Sequence, residues 1–140
     1  MGPSLSLEFW SLFGAMILGL VHVSAASFAF KAQVGNRYTV GARDADLRPA
    51  GVAARLDRAL RNFLETFPIF VAAVLTLEVL DGTGSWLSVA GCMTYLSCRC
   101  LYLPLYAAGL PWVRTLSWNA ATAGLVLVMV AIALKAAGGA

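Results

Sequence analysis

Charge is scarce in this sequence. Of its 140 residues only 12% are charged while 60% are hydrophobic, whereas an ordinary soluble domain devotes about a quarter of its residues to charge. Together with a mean hydropathy of +0.79, that scarcity excludes a disordered segment and argues against a soluble globular domain. Histidine occurs once and cysteine three times. Cys92, Cys98 and Cys100 share one apolar stretch without metal-ligand spacing, so no metal site is expected and the three read as small core residues. Phosphate-cradling glycine loops, nucleophile elbows and nucleic-acid motifs are absent from the sequence, so no nucleic-acid partner is expected. Met1 to Leu7 carries no Lys or Arg, which with the long apolar run that follows speaks against a signal peptide.

What the chain has instead is apolar length. It accommodates about four membrane spans of ~20 to 26 residues, with ~30 to 40 residues left for connections. The expected architecture is all-α, a single integral-membrane four-helix bundle over residues 1–140, with spans near 5–30, 54–80, 85–107 and 112–136. Between the first two lies a charged, turn-rich connection containing Gly35, Asn36, Gly41, Asp44, Asp46, Pro49 and Gly51. Asp81-Gly82-Thr83-Gly84 makes a tight second connection and Gly109-Leu110-Pro111 a short third. His22, alone in an apolar span, reads as a hydrogen-bonded packing residue rather than a ligand, and Glu8 lies near the membrane boundary.

The few charges are unevenly spread. Between Lys31 and Arg61 stand seven basic residues (Lys31, Arg37, Arg43, Arg48, Arg55, Arg58, Arg61) against three acids (Asp44, Asp46, Asp57). Because cytoplasmic connections carry the excess of Lys and Arg, connections one and three should face the cytoplasm and both termini the other side. Lys135 argues weakly in the opposite direction.

Two polar stripes run along the expected helices. At 100° per residue, Arg61, Asn62 and Glu65 fall within about 60° of Arg58, and Tyr95, Tyr102 and Tyr106 within about 60° of Arg99. A charge inside a span costs at least a few kcal/mol unless paired or hydrated, which makes such a stripe a functional-site hypothesis by default. The competing explanations are a snorkelling helix end for Arg55 and Arg58 and an interfacial aromatic belt for Tyr106. In the expected topology Lys31, Arg58 to Glu65, Arg99 to Tyr106 and Arg114 all lie in the cytoplasmic half of the membrane. Five cations (Lys31, Arg58, Arg61, Arg99, Arg114) against Glu65 suit a small dicarboxylate bearing one amine, since guanidinium groups bind carboxylates through paired, charge-assisted hydrogen bonds.

At these residues the sequence resembles the membrane-associated proteins in eicosanoid and glutathione metabolism, the MAPEG family. The resemblance is carried by Arg58-Ala-Leu-Arg61-Asn62-Phe-Leu-Glu65-Thr-Phe-Pro68, by Arg99-Cys-Leu-Tyr102-Leu-Pro-Leu-Tyr106, and by Pro111-Trp-Val-Arg114-Thr115. It covers roughly Arg55 to Asn119 and the four-span layout, and is closest to the bacterial branch, which implies a bacterial inner-membrane protein. It further implies a homotrimer with glutathione held between neighbouring subunits and open toward the cytoplasm. Arg58, Arg61, Asn62 and Glu65 then match the family's glutathione-binding positions on the second helix, and Arg99, Tyr102 and Tyr106 those on the third. Lys31 matches a basic position at the end of the first helix. Arg114 matches the arginine assigned to stabilising the glutathione thiolate.

The implied activity is a glutathione-dependent transferase or peroxidase acting on a lipophilic electrophile or hydroperoxide that reaches the site from the membrane lipids. Thr115 stands where prostaglandin-forming members have serine, Trp118 where they have tyrosine, and Thr66 where leukotriene-forming members have tyrosine, so no particular eicosanoid synthase is implied. Two other classes compete. One is a non-catalytic lipid- or glutathione-binding protein, distinguished by binding without turnover; the other is a small multidrug exporter, distinguished by proton-coupled uptake of cationic dyes.

Overall fold

A computed structural model describes residues 5–138. The described residues form five helices: α1 (Leu7–Val34), α2 (Asn36–Val40), α3 (Gly51–Val79), α4 (Trp86–Ala108) and α5 (Pro111–Ala136). Each long helix has a local reason for where it starts and stops. Ser6 caps α1 by accepting from the Phe9 amide at 2.9 Å, and Ser85 caps α4 by accepting from Ser88 at 3.1 Å. α4 stops at Gly109 in the left-handed conformation (φ 75°), where the Leu110 amide donates back to Leu105 O at 3.1 Å. Pro111 then opens α5 at a position where its missing N–H is not needed.

The short α2 was not expected in a stretch so rich in turn residues. It is held from outside, by the Phe30 and Tyr38 rings meeting edge to face at 6.1 Å and by the Leu47 amide donating to Tyr38 Oη at 2.8 Å. α1, α3 and α5 are long and apolar enough to cross a membrane. α4 has 23 residues, about 35 Å at 1.5 Å per residue, but its arginine and three tyrosines interrupt its apolar run and keep it out of that group.

The long helices run antiparallel in chain order. The N-terminus of α1 meets the C-terminus of α3 through a Ser6–Glu78 hydrogen bond, and meets the N-terminus of α4 through Glu8, which accepts from the Gly84 amide at 2.7 Å and from Ser88 Oγ. At the other end Arg55 Nε donates to Ala107 O at 2.9 Å, joining the start of α3 to the end of α4. The core between them holds Leu12, Phe70, Val74, Leu77, Tyr95, Leu125 and Val128, with Phe70 stacked on Tyr95 at 4.1 Å. α4 and α5 approach most closely at Gly91 and Gly124, where a Cβ on either glycine would lie 2.7 Å from the other's carbonyl oxygen.

The outer faces are apolar, with Trp10, Leu20, Phe28, Leu101, Trp112 and Leu116 exposed, the reverse of what water tolerates and what lipid requires. Of the three cysteines only Cys92 is core. Cys98 is half-buried and Cys100 is exposed, a correction to the expectation from composition, which cannot see which helix face a residue occupies.

Candidate functional site at one end of the bundle

Arg99 is fully buried, and α3 supplies what it needs. Its Nη1 donates to Asn62 Oδ1 at 2.7 Å and its Nη2 to Thr66 Oγ1 at 2.6 Å. Thr66 in turn shares a hydrogen bond with Tyr95 Oη at 3.1 Å. On its own helix the guanidinium carbon sits 5.6 Å from the Tyr95 ring centre and 5.4 Å from that of Tyr102, four residues before and three after. Among the described residues Arg99 Nε is buried without a partner and no carboxylate pairs with the group.

Above this buried cation lies a small open cavity of about 200 Å³, lined by Asn62, Tyr102, Tyr106, Arg114, Thr115 and Trp118. Asn62 Nδ2 donates toward Glu65 Oε2 at 3.4 Å, which brings an exposed carboxylate to the same face. Tyr106 is the meeting point of two further cations: the Arg114 guanidinium carbon lies 4.4 Å from its ring centre and that of Arg58 6.0 Å. Arg114 stands in the first turn of α5, where the helix dipole adds positive potential. One cation, an amide and two phenols thus line the opening, with the Arg58 guanidinium and the Glu65 carboxylate beside it.

A model of the MAPEG family matches residues 7–134, nearly the whole described chain. The chain belongs to the MAPEG family. It is therefore a membrane protein of a family associated with glutathione and eicosanoid metabolism. Comparison with curated proteins and with solved structures finds no match.

Within this MAPEG chain, Arg58, Asn62, Glu65, Arg99, Tyr102, Tyr106 and Arg114 come together. Two of the residues singled out by spacing do not join them. Arg61 turns outward and pairs with Asp57 one turn earlier, beside a second cavity of about 550 Å³ formed with Asp46, Arg48 and Arg58. Lys31 lies in the last turn of α1 at the same end of the bundle, and among the described residues no side-chain hydrogen bond or ion pair ties it to the cluster.

Thr66 and Trp118, noted in the sequence as departures from relatives, stand within the cluster: one accepts from Arg99, the other walls the cavity. Their signal was helical spacing, since Thr66 lies four residues after Asn62 and Trp118 four after Arg114. His22 is fully buried and stacked on Phe63 at 4.7 Å. It packs as expected, but among the described residues neither ring nitrogen has the hydrogen bond that was also expected.

Proposed function

We propose that this protein is a glutathione-dependent membrane enzyme of the transferase or peroxidase type, acting on a lipophilic electrophile or hydroperoxide. The observation that carries the reading is the position of Arg114, stacked on Tyr106 at the rim of a cavity whose other polar walls are Asn62 and Tyr102. A thiol with an ordinary pKa near ~8.5 is mostly protonated at neutral pH, and the thiolate is the nucleophile. A guanidinium at the start of a helix favours that anion twice over, by its own charge and by the dipole.

Glutathione offers two carboxylates and one ammonium group. Arg58 suits one carboxylate and Glu65 the ammonium, while Arg61 and Lys31 reach the second carboxylate only by leaving the places they hold here, Arg61 its pair with Asp57 and Lys31 the last turn of α1. Arg99, buried beneath, serves by aiming Asn62. Tyr102 and Tyr106 supply hydroxyls at the opening. The thiolate then adds to the electrophilic carbon of an activated alkene, whose π electrons take up a proton, or attacks the distal oxygen of a hydroperoxide, breaking the O–O bond to release the alcohol and leave a sulfenic acid that a second glutathione converts to disulfide and water; both substrates arrive from the bilayer.

Ligand pockets usually measure about 300–1,000 Å³, more than the 200 Å³ one chain encloses. A neighbouring subunit could supply the remaining wall, in keeping with the homotrimer that the family resemblance implies; the same resemblance implies α4 as a fourth span and a bacterial inner membrane, and the basic first connection puts both termini on the non-cytoplasmic face.

The test is to purify the protein in detergent, titrate glutathione calorimetrically, follow thiolate absorbance at the ultraviolet edge, and assay an activated aryl halide and a lipid hydroperoxide. Binding with thiolate formation and turnover of either substrate supports the enzyme. Absence of binding removes the proposal, and binding without thiolate or turnover leaves a non-catalytic glutathione-binding member of the family.

A further inference from the structure

At the opposite end of the bundle a cavity of about 480 Å³ opens between the α3–α4 hairpin and the last turns of α5. Its walls include Asp81, Gly84, Ser85, Trp86, Leu134 and Lys135. The two charges are of opposite sign and face one space, yet among the described residues they form no ion pair within 4.0 Å. In a region of lowered dielectric such charges attract strongly, so their separation across a cavity leaves room for a ligand that carries both signs itself.

The walls are fixed from behind. Gly84 donates its amide to the fully buried Glu8 at 2.7 Å, and Ser88 donates its hydroxyl to the same carboxylate oxygen. Asp81 adopts a left-handed backbone conformation (φ 49°), which turns the chain sharply out of α3 and is tolerated by Asp. Gly82 lets the Lys135 stem lie against the hairpin: a Cβ there would meet Lys135 Cγ at 3.1 Å. The start of α4 contributes its N-cap Ser85 and Trp86. Trp86 is 75% exposed and Leu134 51%, so the polar cavity continues directly into an apolar surface that carries an indole, a ring enriched at the headgroup level of bilayers.

We infer that this cavity binds the headgroup of a zwitterionic phospholipid with a primary ammonium, of the phosphatidylethanolamine type. Lys135 takes the phosphate, Asp81 takes the ammonium, and the glycerol and upper acyl chain lie along Trp86 and Leu134. The site shares no residue with the glutathione cluster and stands independently of it.

Native mass spectrometry of the full chain in detergent, with phosphatidylethanolamine, phosphatidylcholine and phosphatidylglycerol added at equal concentration, tests the assignment. The expected result is retention of phosphatidylethanolamine over both others by about tenfold, the scale of one charge-assisted hydrogen bond. Lys135→Gln lowers retention of all three while Lys135→Arg preserves it, and Asp81→Asn abolishes the preference for phosphatidylethanolamine over phosphatidylcholine. Helical content by circular dichroism confirms that each variant is folded, and the Lys135 pair together with the wild-type ratio decides the matter should Asp81→Asn unfold. Equal retention of the three lipids by wild type, or retention unchanged in Lys135→Gln, overturns the site. Displacement by soluble phosphoethanolamine at the same concentration as the lipid overturns the assignment to a membrane lipid.

Discussion

Arg99 donates to Asn62 Oδ1 across 2.7 Å, and that bond decides which way the amide faces. A guanidinium has donors only, so the Asn62 atom that meets it must be the oxygen, which leaves Nδ2 free to donate toward Glu65 at 3.4 Å. A buried cation on α4 thereby orients two polar groups on α3. The exposed carboxylate and the inner amide are parts of one assembly, and they respond differently to mutation.

Glu65 is exposed and Asn62 is not. Glu65→Gln should leave thermal unfolding in detergent unchanged and weaken glutathione binding at least about tenfold, the scale of one charge-assisted hydrogen bond. Asn62→Ala should weaken binding and also destabilise the fold by about 2–3 kcal/mol, because it removes an acceptor from a buried guanidinium. Calorimetry and denaturant titration separate the two effects; a Glu65→Gln protein with wild-type affinity would show that the carboxylate takes no part in binding.

Arg114→Ala should reduce turnover by about 10² to 10³ while changing glutathione affinity much less, since an interaction stronger with the thiolate than with the thiol lowers the barrier more than it aids ground-state binding. The direct readout is thiolate absorbance on adding glutathione, which the variant should lose. Equal absorbance and equal rate in both proteins would reduce Arg114 to an anchoring residue at the membrane interface.

A reporter inserted near Gly51 should be accessible from the cytoplasm and one at the C-terminus from the opposite side, because the basic residues crowd the first connection. Labelling of cysteine-substituted protein in intact cells and in inverted vesicles measures this. The reverse pattern would move the Arg99 cluster and its opening to the non-cytoplasmic face.

Gly91→Ala should destabilise the protein by about 1–3 kcal/mol through overpacking, although alanine is the better helix former by about 1 kcal/mol. Its Cβ would meet the Gly124 carbonyl oxygen at 2.7 Å and Val128 Cγ2 at 2.8 Å, and backbone cannot step aside. Gly14→Ala is the control: the nearest atom is the tip of Leu96 at 3.0 Å, a side chain that can rotate, so the loss should be small or reversed.

The helical, lipid-facing character of the chain was legible in its composition, and the polar stripes in a period of 3.6. What periodicity could not show is competition for each charge. Arg61 lies on the stripe by angle, yet Asp57 one turn earlier captures it, and angular arithmetic treats both as isolated points. Arg99 and Tyr95 read correctly as one face of α4, but the threonine that completes their network belongs to another helix 33 residues away. Glu8 appeared to be a boundary residue because its partners, Gly84 and Ser88, are 76 and 80 residues distant. Local signals placed the elements; the identity of neighbours across helices required the folded arrangement.

The missing side chains at Gly91 and Gly124 have a mechanical result. With backbone resting on backbone, and Ser117 Oγ fastening α5 to Cys98 O at 2.7 Å, α4 and α5 are coupled like two halves of a single beam. Tyr102 and Tyr106 ride on one half and Arg114 on the other, so the guanidinium and the ring beneath it travel together whenever the bundle flexes. On the proposed function, admission of a lipid-borne reactant would fall to the seam between this beam and α3, which is spanned at that end by the Arg55, Asn62 and Thr66 hydrogen bonds. The corner where that proposal puts the thiolate would then keep its shape while the doorway moved.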